Sequence, residues 1–348
     1  MEYRRLGQSG LKVSELCLGT MTFGHGTDEA TARQMVDMAF DAGINFFDTA
    51  NTYGAGLSEI MLGKALKGRR REVVLATKFF NPTGPGPNDS GMSRVHIMNS
   101  VEDSLRRLQT DWIDIYYMHH VDVQTSLDET LRALDDLVRA GKARYIAVSN
   151  YEAWRTMEAL WISDSHGWSR FVCYQPQYSL IVRDIELEIL PLCQHKGLGV
   201  VVWGPLAGGF LSGKYRPGQR VLAGTRSEEK WVFPERFLDD VADEILETLL
   251  EAADELARSP SQVAIRWVLE QPAVSSVIVG ARTVEQLRDN LAAAGRRLPD
   301  DARARLTQVS QMPERYPQTV AHAVEERRVA AVGKQQRIAL APADESSA

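Results

Sequence analysis

Gly43-Ile44-Asn45-Phe46-Phe47-Asp48-Thr49-Ala50-Asn51-Thr52-Tyr53-Gly54 is the stretch whose reading decides the fold. Ile44 to Phe47 is a short apolar run of the kind that forms a strand buried on both faces. It runs straight into an acid, Asp48, and then a phenol, Tyr53. Two further runs end the same way: Val73 to Thr77 stops at Lys78, and Ile113 to Met118 stops at His119. Parallel strands of an α/β sheet or barrel put their C-terminal ends around one mouth. Acid, phenol, ammonium and imidazole are therefore expected to converge.

Working outward, strand-like runs alternate with helical segments along the chain. The strand candidates are Leu16–Gly19, Ile44–Phe47, Val73–Thr77, Ile113–Met118, Ala143–Val148, Phe171–Tyr174, Gly199–Trp203 and Val277–Val279. Between them, Leu127, Leu131, Leu134 and Val138 share a face at helical spacing, as do Val101, Leu105 and Leu108. Eight such strands alternating with helices predict an α/β fold, a (β/α)8 TIM barrel, over an open doubly wound sheet. Tyr3–Leu6 and Leu11–Val13 flank Gly7-Gln-Ser-Gly10 and read as an N-terminal β-hairpin. Late helices are expected at about 234–258, 261–270, 283–293 and 300–311. The barrel domain is taken as 1–312, and 313–348 as a C-terminal tail, partly disordered over its last dozen residues. Long loops fall after strands at 79–92, 119–126 and 204–234, all at the C-terminal face of the barrel.

Composition excludes several classes. The 348 residues are 44% hydrophobic and 25% charged, with a formal net charge of −6. That is ordinary globular composition without a basic footprint for nucleic acid. Apolar runs stay well short of the roughly 20 residues of a membrane span. Met1-Glu-Tyr-Arg-Arg leads into no apolar stretch, so no signal peptide is read and a cytoplasmic location is expected. Cys17, Cys173 and Cys193 are widely spaced, with no metal-ligand pattern among them, so no metal site is expected. Gly19-Thr-Met-Thr-Phe-Gly24 lacks the middle glycine of a dinucleotide fingerprint. Gly208-Gly-Phe-Leu-Ser-Gly213-Lys214 imitates a phosphate loop, but Tyr215 stands where Ser or Thr would hold magnesium.

The four strand-end groups suit one chemistry. A carbonyl that accepts hydride needs a donor to stabilise and then protonate its oxygen. A phenol, with an ordinary pKa of about 10, is a weak acid. An ammonium at Lys78 would lower that pKa, Asp48 would hold the ammonium in place, and His119 would orient the carbonyl. Taken singly, each residue reads as easily as a helix cap, a loop aromatic, a solvated strand end or a surface histidine pair.

The chain resembles the aldo-keto reductases over about residues 1–312, in a bacterial branch similar also to potassium-channel β subunits. The resemblance rests on Leu16-Cys-Leu-Gly19-Thr20-Met21, the Gly43–Gly54 stretch, Ser58-Glu59, Met118-His119-His120-Val121-Asp122, Val148-Ser149-Asn150-Tyr151, Tyr174-Gln175-Pro176-Gln177-Tyr178 and Trp203-Gly204-Pro205-Leu206-Ala207-Gly208-Gly209. It implies a (β/α)8 barrel binding NADPH across its mouth and reducing an aldehyde or ketone reversibly. Asp48, Tyr53, Lys78 and His119 would be the catalytic tetrad. Gly19, Thr20, Met21 and Asp48 would lie along the cofactor. Ser149, Asn150 and Gln175 would bind the nicotinamide carboxamide, and Trp203 would stack on its ring. Gly204, Pro205, Leu206, Ala207, Gly208 and Lys214 would follow the pyrophosphate. Gly280, Arg282, Gln286, Asp289 and Asn290 would hold the adenosine end. Arg282 suits a 2′-phosphate, while Gln286 stands where many relatives carry another base, so NADP(H) is preferred with NADH also admitted. The resemblance also implies an alternative, an NADPH-binding redox-sensing regulatory subunit. His119 favours turnover, since certain channel β subunits carry Asn there. A nucleotide-sugar ketoreductase is a third reading, with Arg216, Arg220 and Arg226 as phosphate binders. Met21, Phe79, Phe80, Trp231 and Phe233 are candidate walls of the substrate pocket. An oligomer is admitted but not required.

Overall fold

The computed structural model describes residues 1–219 and 240–332. The first two strands, β1 (Tyr3–Arg5) and β2 (Lys12–Ser14), pair antiparallel. The remaining strands are β3 (Leu16–Gly19), β4 (Phe46–Asp48), β5 (Val74–Phe79), β6 (Ile113–Met118), β7 (Ala143–Ser149), β8 (Phe171–Gln175), β9 (Gly199–Val202) and β10 (Val274–Val279). These eight form a closed, all-parallel barrel in chain order, with β10 returning to β3. The sequence reading of a (β/α)8 barrel with an N-terminal hairpin is thus the observed architecture, and the open sheet is not.

Helices α1 (Glu29–Asp41), α2 (Leu57–Ala65), α3 (Arg94–Leu108), α4 (Leu127–Arg139), α5 (Ala153–His166) and α6 (Ile189–Lys196) connect successive strands up to β9. Between β9 and β10 lie α7 (Asp240–Glu255) and α8 (Pro260–Leu269). After β10 come α9 (Val284–Leu291) and α10 (Asp300–Val309). Many of these helices begin where a side-chain oxygen can take an orphan backbone N–H. Asp28 accepts from Thr31 N at 2.8 Å, Ser93 from His96 N at 3.3 Å and Ser126 from Glu129 N at 3.3 Å. Ser259 caps α8 with Pro260 in its first turn, where a missing N–H costs nothing.

The barrel unit runs from Met1 to Ser310, and a second unit begins at Gln311. The described part of that second unit carries one helix, α11 (Gln318–Val332). The last dozen residues of the tail lie outside the described residues.

Alternation along the strands sorts the core into two clusters. Leu16, Leu18, Phe47, Leu75, Tyr116, Met118, Val148, Val200 and Val202 pack in the larger one, together with the helices. Cys17, Phe46, Val74, Ala76, Ile115, Tyr117, Ala147, Cys173 and Val201 pack together in the barrel's interior, with Leu6 and Val13 of the hairpin. All three cysteines are buried and free. The inward set leads to the C-terminal mouth of the barrel. Continuing each strand by two residues from Phe46, Ala76, Tyr117, Ala147, Cys173 and Val201 leads to Asp48, Lys78, His119, Ser149, Gln175 and Trp203.

Candidate active site

The ends of β4 and β5 lie one and two residues beyond the sequence expectation, and the difference is chemical. Asp48 is the last residue of β4 and Lys78 lies within β5, so both are held by ladder hydrogen bonds, not by loops. Asp48 pairs in register with Gly19 on one side and Ala76 on the other, and Lys78 with Tyr117. Both side chains are buried, at 2% and 1% exposure.

Lys78 Nζ forms a buried ion pair with Asp48 Oδ1 and donates to Thr49 O at 2.8 Å. The other carboxylate oxygen, Oδ2, accepts from Gln175 Nε2 at 2.8 Å. Lys78 Nζ lies 5.1 Å from the centre of the Tyr53 ring and interacts with its hydroxyl. The Tyr53 ring stands edge-on to His119 at 6.0 Å. Asp48, Tyr53, Lys78 and His119 are therefore brought together by β4, the turn after it, β5 and the end of β6.

That turn is pinned from below. Ser58 Oγ lies 2.8 Å from Thr20 Oγ1 and 2.9 Å from Thr49 Oγ1, and donates to Thr20 O at 2.8 Å. Glu59, fully buried, accepts from Thr77 Oγ1 at 2.6 Å and from Arg107 Nε at 2.7 Å. The start of α2 is thereby fastened to the strand carrying Lys78. Gly54, beside Tyr53, sits at φ +56, and a Cβ there would meet Phe23 O at 2.7 Å, so only glycine fits.

Electrostatics differ from the sequence expectation at Tyr53. Burial of the phenol is the largest influence and raises its pKa. The Lys78 ammonium pulls the other way and Asp48 offsets part of that pull, but burial outweighs it, so the net shift is upward. Tyr53 is thus a protonated phenol at neutral pH. Burial pulls Lys78 down, but Asp48 and Tyr53 together raise it above its ordinary value. Lys78 stays an ammonium. His119 is 8% exposed; burial, then Lys78 and His120, hold its pKa well below the ordinary range, so it is neutral. Its Nδ1 is buried and has no hydrogen-bond partner among the described residues, and the same holds for both side-chain polar atoms of Asn51.

The remaining predicted residues also gather at the C-terminal ends of the strands. Gly19 ends β3, followed by buried Thr20 and half-buried Met21. Ser149 donates to Gln175 O at 2.8 Å. Asn150, at φ +56, donates from Nδ2 to His119 O at 3.0 Å and accepts from Trp203 Nε1 at 3.2 Å. Gly204, Pro205, Leu206, Ala207 and Gly208 follow β9, and Gly204, Ala207 and Gly208 have φ of +69, +47 and +68. Lys214 is exposed beyond this turn. Gly280 and Arg282 follow β10, immediately before α9, whose N-cap is Thr283. Gln286 Oε1 accepts from Arg282 N at 2.9 Å, and Asn290 Nδ2 donates to Gly280 O at 3.3 Å. Asp289 accepts from Ser259 Oγ at 2.8 Å and Gln262 Nε2 at 2.7 Å, which ties α9 to the start of α8.

Among the candidate walls, Phe79 is displaced from that role. It is fully buried and stacks on Tyr116 at 4.7 Å in the outer core, because its Cβ points opposite to that of Lys78. Phe80 and Met21 are partly buried, and Trp231 and Phe233 lie outside the described residues. Of the proposed phosphate-binding arginines, Arg216 is exposed and Arg220 and Arg226 are not among the described residues. The sequence reading did not assign Thr49, Asn51, His120 or Asp122. Counting inward positions in steps of two would have flagged the strand ends but not these, which sit in turns.

Among the described residues no group of His, Cys, Asp or Glu is arranged to hold a metal ion, and no helix is long and apolar enough to cross a membrane.

Comparison with known proteins points to one family. The chain is 45% identical over 304 residues to the uncharacterized oxidoreductase YrpG of Bacillus subtilis (strain 168), covering 84% of this chain and 91% of that protein. It is 38% identical over 300 residues to a probable voltage-gated potassium channel subunit beta of Arabidopsis thaliana, and 38% over 301 residues to one of Oryza sativa subsp. japonica, with the same coverage. Residues 15–311 match the Aldo/keto reductase family. A closed parallel barrel, an inward Asp–Lys pair beside a tyrosine and a histidine at its C-terminal mouth, and this match over most of the chain place the protein in the aldo/keto reductase family.

Proposed function

We propose that this chain is an NADPH-dependent carbonyl reductase in which Tyr53 is the general acid and base. The observation that carries the reading is the buried Lys78–Asp48 pair set against a phenol that stays protonated. Bound NADPH would supply the hydride. The protein's part is to donate a proton from Tyr53 Oη to the carbonyl oxygen as negative charge develops there. Lys78, fixed by Asp48 and Thr49 O, stabilises the phenolate left behind. Neutral His119 offers a ring nitrogen to the same oxygen without carrying charge into the site. Run backwards, the phenolate takes a proton from an alcohol.

The donor set fits a dinucleotide. The turn over residues 204–208 has positive φ at Gly204, Ala207 and Gly208, and backbone of this kind can form an anion-binding nest. Arg282, just ahead of the Thr283-capped N-terminus of α9, supplies a guanidinium where helix amides already favour an anion. That combination supports NADPH over NADH through the 2′-phosphate. Gln175, Asn150 and Ser149 would bind the carboxamide, and Trp203 would face the ring.

A second reading has support in the two plant relatives named as probable channel β subunits: a cofactor-holding regulatory subunit. One experiment separates them. NADPH consumption is followed with a panel of aldehydes and ketones, wild type beside Tyr53→Phe. The reductase reading expects kcat to fall roughly 10²–10⁴-fold in the variant with NADPH affinity unchanged. Tight NADPH binding without turnover on any substrate would transfer the argument to the regulatory subunit. Wild-type turnover in Tyr53→Phe would sink the role of the phenol.

A further inference from the structure

His119 is held in an unusual way. Its backbone is fixed on both sides: its N–H donates to Phe79 O at 3.1 Å, and its carbonyl accepts from Asn150 Nδ2 at 3.0 Å. Its ring is not fixed by a hydrogen bond through Nδ1, the usual means of setting an imidazole's orientation, because that atom is buried and has no partner among the described residues. What the ring does have is a flat neighbour. His120 stacks on it with centroids 4.3 Å apart and planes at 15°.

His120 is held in turn. Phe80 stands edge-on to it at 5.5 Å and 66°. Phe80 sits at φ +149, a value that a bulky residue adopts only when its surroundings impose it. The imposing contacts are visible. Phe80 O accepts from Gly91 N at 2.8 Å, which closes the loop after β5. Asp122 then clasps that loop to the one after β6: its Oδ2 accepts from Met92 N at 2.7 Å and Thr125 Oγ1 at 2.8 Å, while Oδ1 accepts from Gln124 N at 2.8 Å. A Cβ on Gly91 would lie 2.9 Å from Asp122 Oδ2, so the clasp also needs glycine there. The order is Asp122 clasp, Phe80, His120, His119.

We propose that His120 is a positioning residue: its ring, braced by Phe80, sets the plane of the His119 imidazole in place of a hydrogen bond at Nδ1. The effect on turnover rests on the reading of His119 as the group that meets the carbonyl oxygen; the stack itself does not. A ring that can rotate presents its nitrogen to the reacting oxygen only part of the time, and small misplacements at a reacting centre are costly.

The test compares wild type, His120→Ala and His120→Phe by two readouts. The first is nitrogen NMR of histidine-labelled protein without cofactor, following the His119 tautomer and its titration, with Lys78, Tyr53 and His120 as the ionisable groups that face it. In His120→Ala the tautomers should mix and the titration should move up toward the ordinary histidine range. In His120→Phe, which keeps a flat ring without nitrogen, the wild-type tautomer should persist. The second readout is steady-state turnover. His120→Ala should lower kcat roughly 10- to 100-fold with a smaller change in KM and no change in NADPH affinity, and His120→Phe should restore most of it. An unchanged His119 spectrum in His120→Ala overturns the proposal whatever happens to turnover. So does a loss in His120→Ala that His120→Phe fails to recover in both readouts, since the imidazole's own nitrogens would then be responsible. Absence of turnover in the wild type counts against the reductase reading, and the spectrum alone then decides the stack.

Discussion

Gln175 donates from Nε2 to Asp48 Oδ2 at 2.8 Å, joining two residues 127 positions apart across the barrel interior. This bond occupies the carboxylate oxygen that Lys78 leaves, so the buried Asp48 is satisfied on both sides. A hydrogen bond to a charged group contributes about 1.5–3 kcal/mol. Gln175→Met should therefore lower stability by about that amount in denaturant unfolding and weaken NADPH in a fluorescence titration. No change in either quantity would show that the bond carries no energy and that Gln175 does not reach the cofactor.

Removing one partner of the buried ion pair should cost more. Lys78→Met strands the Asp48 carboxylate in the interior and should destabilise the fold by about 3–5 kcal/mol. The double variant Asp48→Leu/Lys78→Met replaces the pair by apolar groups and should regain most of the loss. A double variant no more stable than Lys78→Met would mean that packing, not charge, sets the penalty. All of these variants should have lost turnover.

Arg282→Ala addresses cofactor choice. On the proposed role of the guanidinium at a 2′-phosphate, its loss should weaken NADPH by roughly 10-fold or more and leave NADH almost unchanged. Equal losses for the two cofactors, measured by titration without substrate, would refute that assignment.

The histidines give the stability a sign with pH. Burial is the first cause of a lowered pKa at His119, His96 and His120. Below pH of about 6.5 the unfolded chain takes up protons that the folded chain refuses. Folding stability is then fully present above that value and is lost as pH falls toward the folded-state pKa values. The lowered carboxyls of Asp122 and Asp135 act in the same direction only near and below their ordinary value of 3.8. Tm should therefore fall between neutrality and pH 5, and His119→Asn should reduce that slope by up to about 1.4 kcal/mol per pH unit. A slope unaltered by His119→Asn would assign the acid sensitivity to other groups.

Much of this was legible because the signals are local. An apolar run bounded by helical periodicity reads as a buried parallel strand whatever surrounds it, so β4, β6 and β7 fell close to where they were expected. Lys78 was placed just past a strand and lies inside one, because ladder pairing with β6 extends β5 to Phe79. Phe79 was read as a wall of the pocket and packs in the outer core, since the period of two sends neighbours to opposite faces. The Tyr53 phenol was expected to be lowered by Lys78 and is raised, because desolvation depends on depth, which no spacing reveals.

Sequence by itself determined the barrel, the hairpin and the set of ionisable groups at the strand ends, because strand alternation and connection order leave one mouth for them to share. Only the tertiary structure decided how those groups are charged and held. The Asp48–Gln175 bond, the Ser58 and Glu59 anchors and the His119–His120–Phe80 stack join residues from separate elements. Their energies come from burial and distance, which exist only once the barrel has closed.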